Sequence, residues 1–395
     1  MTRAIATLLI LLLLIATSGC WDMRELNDIG LVLMLGIDTD PKGDGFEVTV
    51  HVHTPLADPG GEGSTGEAGI ENITVLSARG QTIMDCFRNL RGRVAFRLSF
   101  HHVRLLVIGE DLARKGIKPA MDFMIRTQEI RINSLLLVSE GPAKELLQTK
   151  PEVAESLHLE LEGILRNEVE WSKTASIELS RFFQHMIDPG RHAVASRLFT
   201  IEPEVSDPVT EDTEAKEIPE AIVAQGLAVF NDDQLAGWLT GTETTGYRYM
   251  VGLGGESILV VPWHGGLAAL EVNFESCSKL FYMRGDTPVL QAKIMTNANL
   301  VEYTGYIDLA NKERVQELEK LAADQLAGIL YSTDEKAKAL GVDIMDYGGI
   351  ASRRNPRLWA ELNKNWREIF PTIETIFDVR MQIDNLGIIT TPLPR

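Results

Sequence analysis

Residues able to do chemistry are sparse along this 395-residue chain. His51 and His53 stand two apart in an alternating apolar–polar stretch. A strand there puts both imidazoles on one face, as two metal ligands would need. No third ligand is marked by nearby spacing, and a surface pair on an edge strand is the plainer expectation. His101 and His102 are adjacent and point to opposite faces of a strand, one packed and one solvated. Glu160 with Glu162, and Glu168 with Glu170, diverge when placed two apart on helices, so solvated faces are expected. Asp38 and Asp40 lie beside Pro41 and Gly43, where turn chemistry calls for Asp. The glycines of residues 252–257 lack the Lys-Ser/Thr of a phosphate loop and precede a strand, which predicts a β-turn. GxSxG and HExxH patterns are absent, so these hydrolase motifs are not available.

Three cysteines, Cys20, Cys86 and Cys277, are far apart, with no CxxC pair to suggest a zinc or redox site. If Cys20 is modified, Cys86 and Cys277 are expected as free buried thiols, although pairing outside the cytoplasm stays open. A formal charge of −18 argues against nucleic acid as a partner. The same charge gives no help at anionic lipid headgroups, so membrane attachment is expected to use something other than electrostatics. Apolar content of 45% with 24% charged residues is that of a globular protein, and the length allows two or three domains.

The amino terminus offers that attachment. Arg3 precedes an apolar run over 4–16, too short for the ~20 residues of a permanent span but suited to a signal peptide. Thr17, Ser18, Gly19 and Cys20 resemble a bacterial lipobox, with Thr17 where Leu is usual. In such a box the cysteine thiol takes a diacylglyceryl group and becomes residue one of the mature chain. Two or more acyl chains, at ~0.8 kcal/mol per buried CH₂, then hold a protein stably on a bilayer. Trp21 directly follows, where an indole would sit at the bilayer interface or against a membrane-embedded partner. No later segment approaches eighteen uninterrupted apolar residues.

Behind these positions the periodicities alternate. Strands are predicted over 31–38, 46–52, 73–77, 105–108 and 135–138, with helices over 81–90 and 118–126. A Gly-rich, acidic loop is expected over 55–72, and residues 143–184 are mostly helical. Residues 201–220, dense in acids and Pro, predict a linker between domains. A hairpin follows over 223–239, then strands over 257–261, 267–274, 279–283 and 289–300. A long helix carries Val315, Leu318, Leu321, Ala322, Leu326 and Ile329 on one stripe. A second helical stretch holds Trp359, Leu362, Trp366 and Phe370, and a strand over 376–383 closes a sheet. Trp238, Trp359 and Trp366 could anchor a partner, but Trp366 and Phe370 at i, i+4 favour the core.

Taken together, Gly-Cys-Trp-Asp-Met-Arg-Glu-Leu (19–26), the segments 100–131 and 226–247, and the closing passage 366–389 resemble the Ger(x)C family of spore germination lipoproteins. Those are the C subunits of GerA-type nutrient germinant receptors. The resemblance implies an α+β, multi-domain lipoprotein ectodomain of three domains with mixed β-sheets packed by helices. It implies no enzyme activity and no cofactor beyond the covalent lipid on Cys20. Partners would be two polytopic membrane subunits of the same receptor and the bilayer, with Trp21, Asp22, Glu25 and Leu26 as membrane-proximal or partner contacts. The place would be the outer face of the cell membrane, and in the spore its inner membrane. The expected division is a cleaved signal peptide over 1–19, an α/β domain over 20–140, a mostly helical region over 141–200, the linker over 201–220 and an α+β domain over 221–391. The competing reading is a substrate-binding lipoprotein that delivers a small molecule to a membrane transporter. Tight saturable binding in calorimetry would distinguish it.

Overall fold

The apolar runs near the start of the chain are long and β-branched because the strands they form are covered on both faces. The computed structural model describes residues 28–53, 73–202, 220–305 and 311–387. Cys20, Trp21, Asp22, Glu25 and Leu26, the loop expected over 55–72 and most of the acidic linker lie outside the described residues. Strand β1 (Ile29–Thr39) pairs antiparallel with β2 (Phe46–His53), and β2 with β3 (Ile73–Gly80). Helix α1 (Ile83–Arg91) starts at Thr82, whose hydroxyl accepts the Asp85 N–H, and buries Ile83, Cys86, Phe87 and Leu90. Strands β4 (Arg97–Ser99) and β5 (Leu105–Gly109) both run parallel to β1, beside its first and second halves.

Then follow α2 (Glu110–Lys115), α3 (Lys118–Arg126), β6 (Leu135–Ser139), α4 (Ala143–Gln148), α5 (Leu157–Arg166), α6 (Glu168–Trp171), α7 (Leu179–Ile187), β7 (Val194–Ile201), β8 (Ala221–Asn231) and β9 (Gln234–Leu239). They complete a nine-stranded sheet in the order β3-β2-β1-β5-β6-β7-β8-β9, with β4 on β1. Helices α4 and α5 cover one face, over Met34, Leu105, Val107 and Leu137. The other face carries α1, α3 and α7 over Leu35, Ile37, Leu106 and Leu136. Both layers explain why β5 and β6 are almost entirely apolar.

β8 pairs antiparallel with β7, so the acidic linker joins neighbouring strands of one sheet instead of separating two sheets. The region expected to be mostly helical likewise contributes β7 to that sheet. Acid and Pro density reports solvent exposure of a connection. It says nothing about whether the strands flanking it pair, and long loops cost little extra to close.

Thr240 and Glu243 form a capping box that starts α8 (Gly241–Val251). The second sheet follows, in the order β10 (Glu256–Trp263), β11 (Gly266–Arg284), β12 (Thr287–Tyr303), β13 (Glu374–Asn385). The two strands expected over 267–274 and 279–283 are one strand, kinked by a register shift between Phe274 and Ser276. Helix α9 (Lys312–Leu340) lies on this sheet through Leu318, Ala322, Leu326 and Leu330, whereas Leu321 faces solvent. Between α9 and β13 come α10 (Tyr347–Arg354), α11 (Pro356–Leu362) and α12 (Trp366–Ile369).

Candidate functional site

A polar cleft of about 450 Å³ opens where the end of α7, the loop into β7, the β8–β9 turn and residues 363–368 converge. The last turn of α7 supplies His185. Asp188 then bends the chain by accepting the Gly190 N–H, and Arg191 and His192 follow. The β8–β9 turn supplies Asp232, in the left-handed region at φ 54°, which pairs with Arg367. Beside this cleft lies Asp343, completely buried. Its carboxylate accepts N–H groups from Tyr347 at 3.0 Å and Gly348 at 2.7 Å, and the Trp366 indole N–H at 3.2 Å. His192 and Asp343 also exchange bonds. The His192 N–H donates to the Asp343 carbonyl at 2.8 Å, and the Asp343 N–H donates to His192 Nδ1 at 3.0 Å. That leaves the imidazole proton on Nε2.

Burial pushes both His185 and His192 down to about 4, helped by Arg191 and Arg181 at the first and Arg367 at the second. Burial pushes Asp343 up to about 7, outweighing the three donors that lower it. At neutral pH both imidazoles are uncharged, and the cleft's cations are Arg191, Lys364 and Arg367, opposed by Asp188, Asp232 and Glu368. Among the described residues that line it there is no Ser or Cys of the kind an acyl-transfer nucleophile–base pair uses. What the arrangement does is join. Asp343 and His192 tie the segment after α9 to the strand that enters the nine-stranded sheet. Neighbouring Asp334 accepts bonds from Tyr347, Thr375 and Lys338, so α9, α10 and β13 are held in the same network.

The residues singled out by spacing lie apart from this cleft, except Trp366. His51 is buried on an interior strand, with Nε2 against the Leu147 carbonyl of α4, and His53 is half-buried. The edge-strand expectation fails because β3 shields β2. His101 and His102 are both exposed, since they occupy a turn and not a strand. Among the described residues no three His, Cys, Asp or Glu could hold a metal ion. Asp38 is buried and accepts the Ala143 and Lys144 N–H groups at 2.7 and 2.9 Å, so it caps α4 across the sheet while Asp40 serves the turn. Burial pushes Asp38 up to about 6. Glu160 is not simply solvated: one carboxylate oxygen accepts N–H groups from Glu152, Val153 and Ala154. Glu168 pairs with buried Arg248 at 3.3 Å, while Glu170 is exposed. Cys86 and Cys277 are free thiols. Trp359 and Trp366 pack edge to face at 5.0 Å in the core, and Trp238 stacks with Arg197. His185, His192 and Asp343 carried no local sequence signal.

Two mixed layers joined through a buried polar network describe a multi-domain α+β protein. The chain belongs to the GerAC family of spore germination proteins. Residues 22–199 match the family described as spore germination protein N-terminal domain, and residues 225–387 match spore germination B3/GerAC like, C-terminal. Among its relatives in Bacillus subtilis (strain 168), spore germination protein KC is 22% identical, covering 99% of this chain and 98% of the relative. Spore germination protein YndF is 24% identical, covering 98% and 97%. Spore germination protein B3 is 19% identical, covering 95% and 96%. The crystal structure of the GerBC protein has the same fold, with a TM-score of 0.57 and 15% identity, covering 92% of this chain and all of that one. The family is one of spore germination proteins and not a known enzyme class.

Proposed function

We propose that this protein is a membrane-anchored lipoprotein subunit of a spore nutrient germinant receptor, needed for the assembly or signalling that starts germination. The observation that carries the reading is where the family matches lie. They begin at residue 22, two residues after Cys20, and cover 22–199 and 225–387, across both sheets. Cys20 carries the lipid, and Trp21, Asp22, Glu25 and Leu26 follow at the membrane surface. The body works as a joined scaffold against two polytopic membrane subunits on the outer face of the spore's inner membrane. Relatives named spore germination proteins A3, B3 and KC support a place in a multi-subunit receptor. No helix among the described residues is long and apolar enough to cross a membrane. Confinement by a lipid raises effective concentration, so weak contacts with membrane partners suffice. The test is Cys20→Ala. The variant is expected to lose acyl label and move from the membrane to the soluble fraction. Persistence of the variant in the membrane fraction after a high-salt wash would refute the anchor.

A further inference from the structure

One end of the nine-stranded sheet carries a charge opposite to that of the chain. Between Asp85 and Glu110 the sequence contains no acid, yet it contains Arg88, Arg91, Arg93, Arg97, His101, His102 and Arg104, all exposed. The topology gathers several of them where β1 begins. β4 starts with Arg97 opposite Ile29, the first residue of β1. β5 and β6 run parallel to β1, so their leading loops reach the same end. Arg104 donates its N–H to the Leu33 carbonyl, and Leu135 donates to the Arg104 carbonyl. The loop before β6 adds exposed Arg131 and Ile132, the latter 62% exposed, and Ser180 bonded to Ile132 brings Arg181 alongside. The acids nearest these arginines in sequence and pairing are Asp28, Glu178 and Glu129, of which Glu129 is paired with Arg91 at 3.2 Å. Farther along the same end, where β7 starts and β8 ends, stand Asp188, Asp233 and Asp232, the last paired with Arg367. Among the described residues Arg97, Arg104 and Arg131 have no ion-pair partner.

We propose that this end lies against an anionic lipid surface, with Arg97, Arg104 and Arg131 meeting headgroup phosphates and Ile132 entering the interface. The orientation rests on the lipid-anchor reading above. Cys20 is nine residues before Ile29, so even a fully extended chain keeps the lipid-bearing residue within about 32 Å of the start of β1. A net charge of −18 does not oppose this contact. Charges act over a Debye length of ~8 Å, so the surface responds to the nearest residues and not to the sum. The acidic remainder is instead repelled, which selects this end over every other.

The experiment uses the mature chain with Cys20→Ser, so no acyl group is present and the result is independent of whether Cys20 is lipidated. Co-sedimentation is measured with vesicles of phosphatidylcholine alone and of equal parts phosphatidylcholine and phosphatidylglycerol. Binding is expected only to the anionic vesicles, is abolished by high salt, and is not displaced by inorganic phosphate at matched ionic strength. Arg→Gln at 97, 104 and 131 should each weaken partitioning about fivefold, and the triple variant roughly 100-fold. Arg284→Gln with Lys320→Gln and Lys336→Gln, elsewhere on the surface, should leave it unchanged. Unchanged thermal melting checks that the exposed substitutions do not unfold the chain. Equal binding to neutral vesicles, competition by free phosphate, or equal loss in the control triple overturns the proposal. So does a failure to bind anionic vesicles, the result expected if residues 54–72, with Asp58, Glu62, Glu67 and Glu71, occupy these arginines instead.

Discussion

Replacing Asp343 by Asn is expected to change the pH dependence of stability in a direction that the buried joint dictates. The folded-state carboxyl is pushed from 3.8 up to about 7, chiefly by complete burial. Between those values the folded protein keeps a proton that the unfolded chain has released. Stability contributed by this group therefore falls as pH rises through the window. At about 1.4 kcal/mol per pKa unit the whole change is roughly 4 kcal/mol. Asn has nearly the same shape and does not ionise, so it abolishes that slope. It must, however, turn an NH₂ toward one of the donors from Tyr347, Gly348 or Trp366, at a cost of about 1–2 kcal/mol. The variant should then be about 1–2 kcal/mol less stable than the parent near pH 4 and about 2–3 kcal/mol more stable at pH 8, with the curves crossing near pH 5. His185 and His192, pushed down to about 4, and Asp38, pushed up to about 6, titrate in both proteins and cancel in the difference. Urea unfolding at pH 4, 6 and 8 measures it, and the fluorescence of Trp366, bonded to this carboxylate, gives a local signal. A stability difference of the same size at pH 4 and pH 8 would refute the burial argument.

Two other substitutions test how the halves are held. Arg248 is 1% exposed and donates to the Gly254 carbonyl at 3.0 Å and the Thr174 carbonyl at 2.9 Å while pairing with Glu168. Arg248→Ala strands these acceptors and should cost about 3–5 kcal/mol in urea unfolding; a loss under 1 kcal/mol would contradict the assigned role. Gly226 has φ +90°, and a Cβ there would meet the Leu239 carbonyl at 2.3 Å, so Gly226→Ala should cost more than about 1 kcal/mol. An unchanged melting temperature would show that the β8–β9 register shifts at no cost.

What was legible in the sequence is what local periodicity determines. Helix α3 falls over residues 118–126 as expected, because its apolar spacing and flanking residues are all local. β1, β2 and the β8–β9 hairpin appear for the same reason. The kink in β11 was not legible, since one extra residue breaks alternation and imitates a strand end. Asp38 shows the other limit. Its sequence neighbours make it a turn residue, but its carboxylate is used by Ala143 and Lys144 of a helix over a hundred residues later. The joint is harder still, because His192, Asp343 and Trp366 come from three separate segments. None stands in a motif, and only the sheet topology brings them together.

The same logic separates two uses of charge in this molecule. Composition gives a sum, and the sum argues against a nucleic-acid partner, because a phosphate backbone needs an extended basic face. A planar membrane needs only one end of a body. A stretch without acids, folded so that its arginines surround the first strand, meets that need within a strongly acidic chain. On the proposed reading, the lipid at Cys20 supplies attachment without direction, since an acyl chain is indifferent to how the body rotates above it. The basic end supplies direction without strong attachment, at about 1 kcal/mol per arginine. Together they would fix which surface of the second sheet points away from the bilayer. The Asp343–His192 joint matters for the same reason: an orientation imposed at β1 reaches β10–β13 only if the two sheets move as one body.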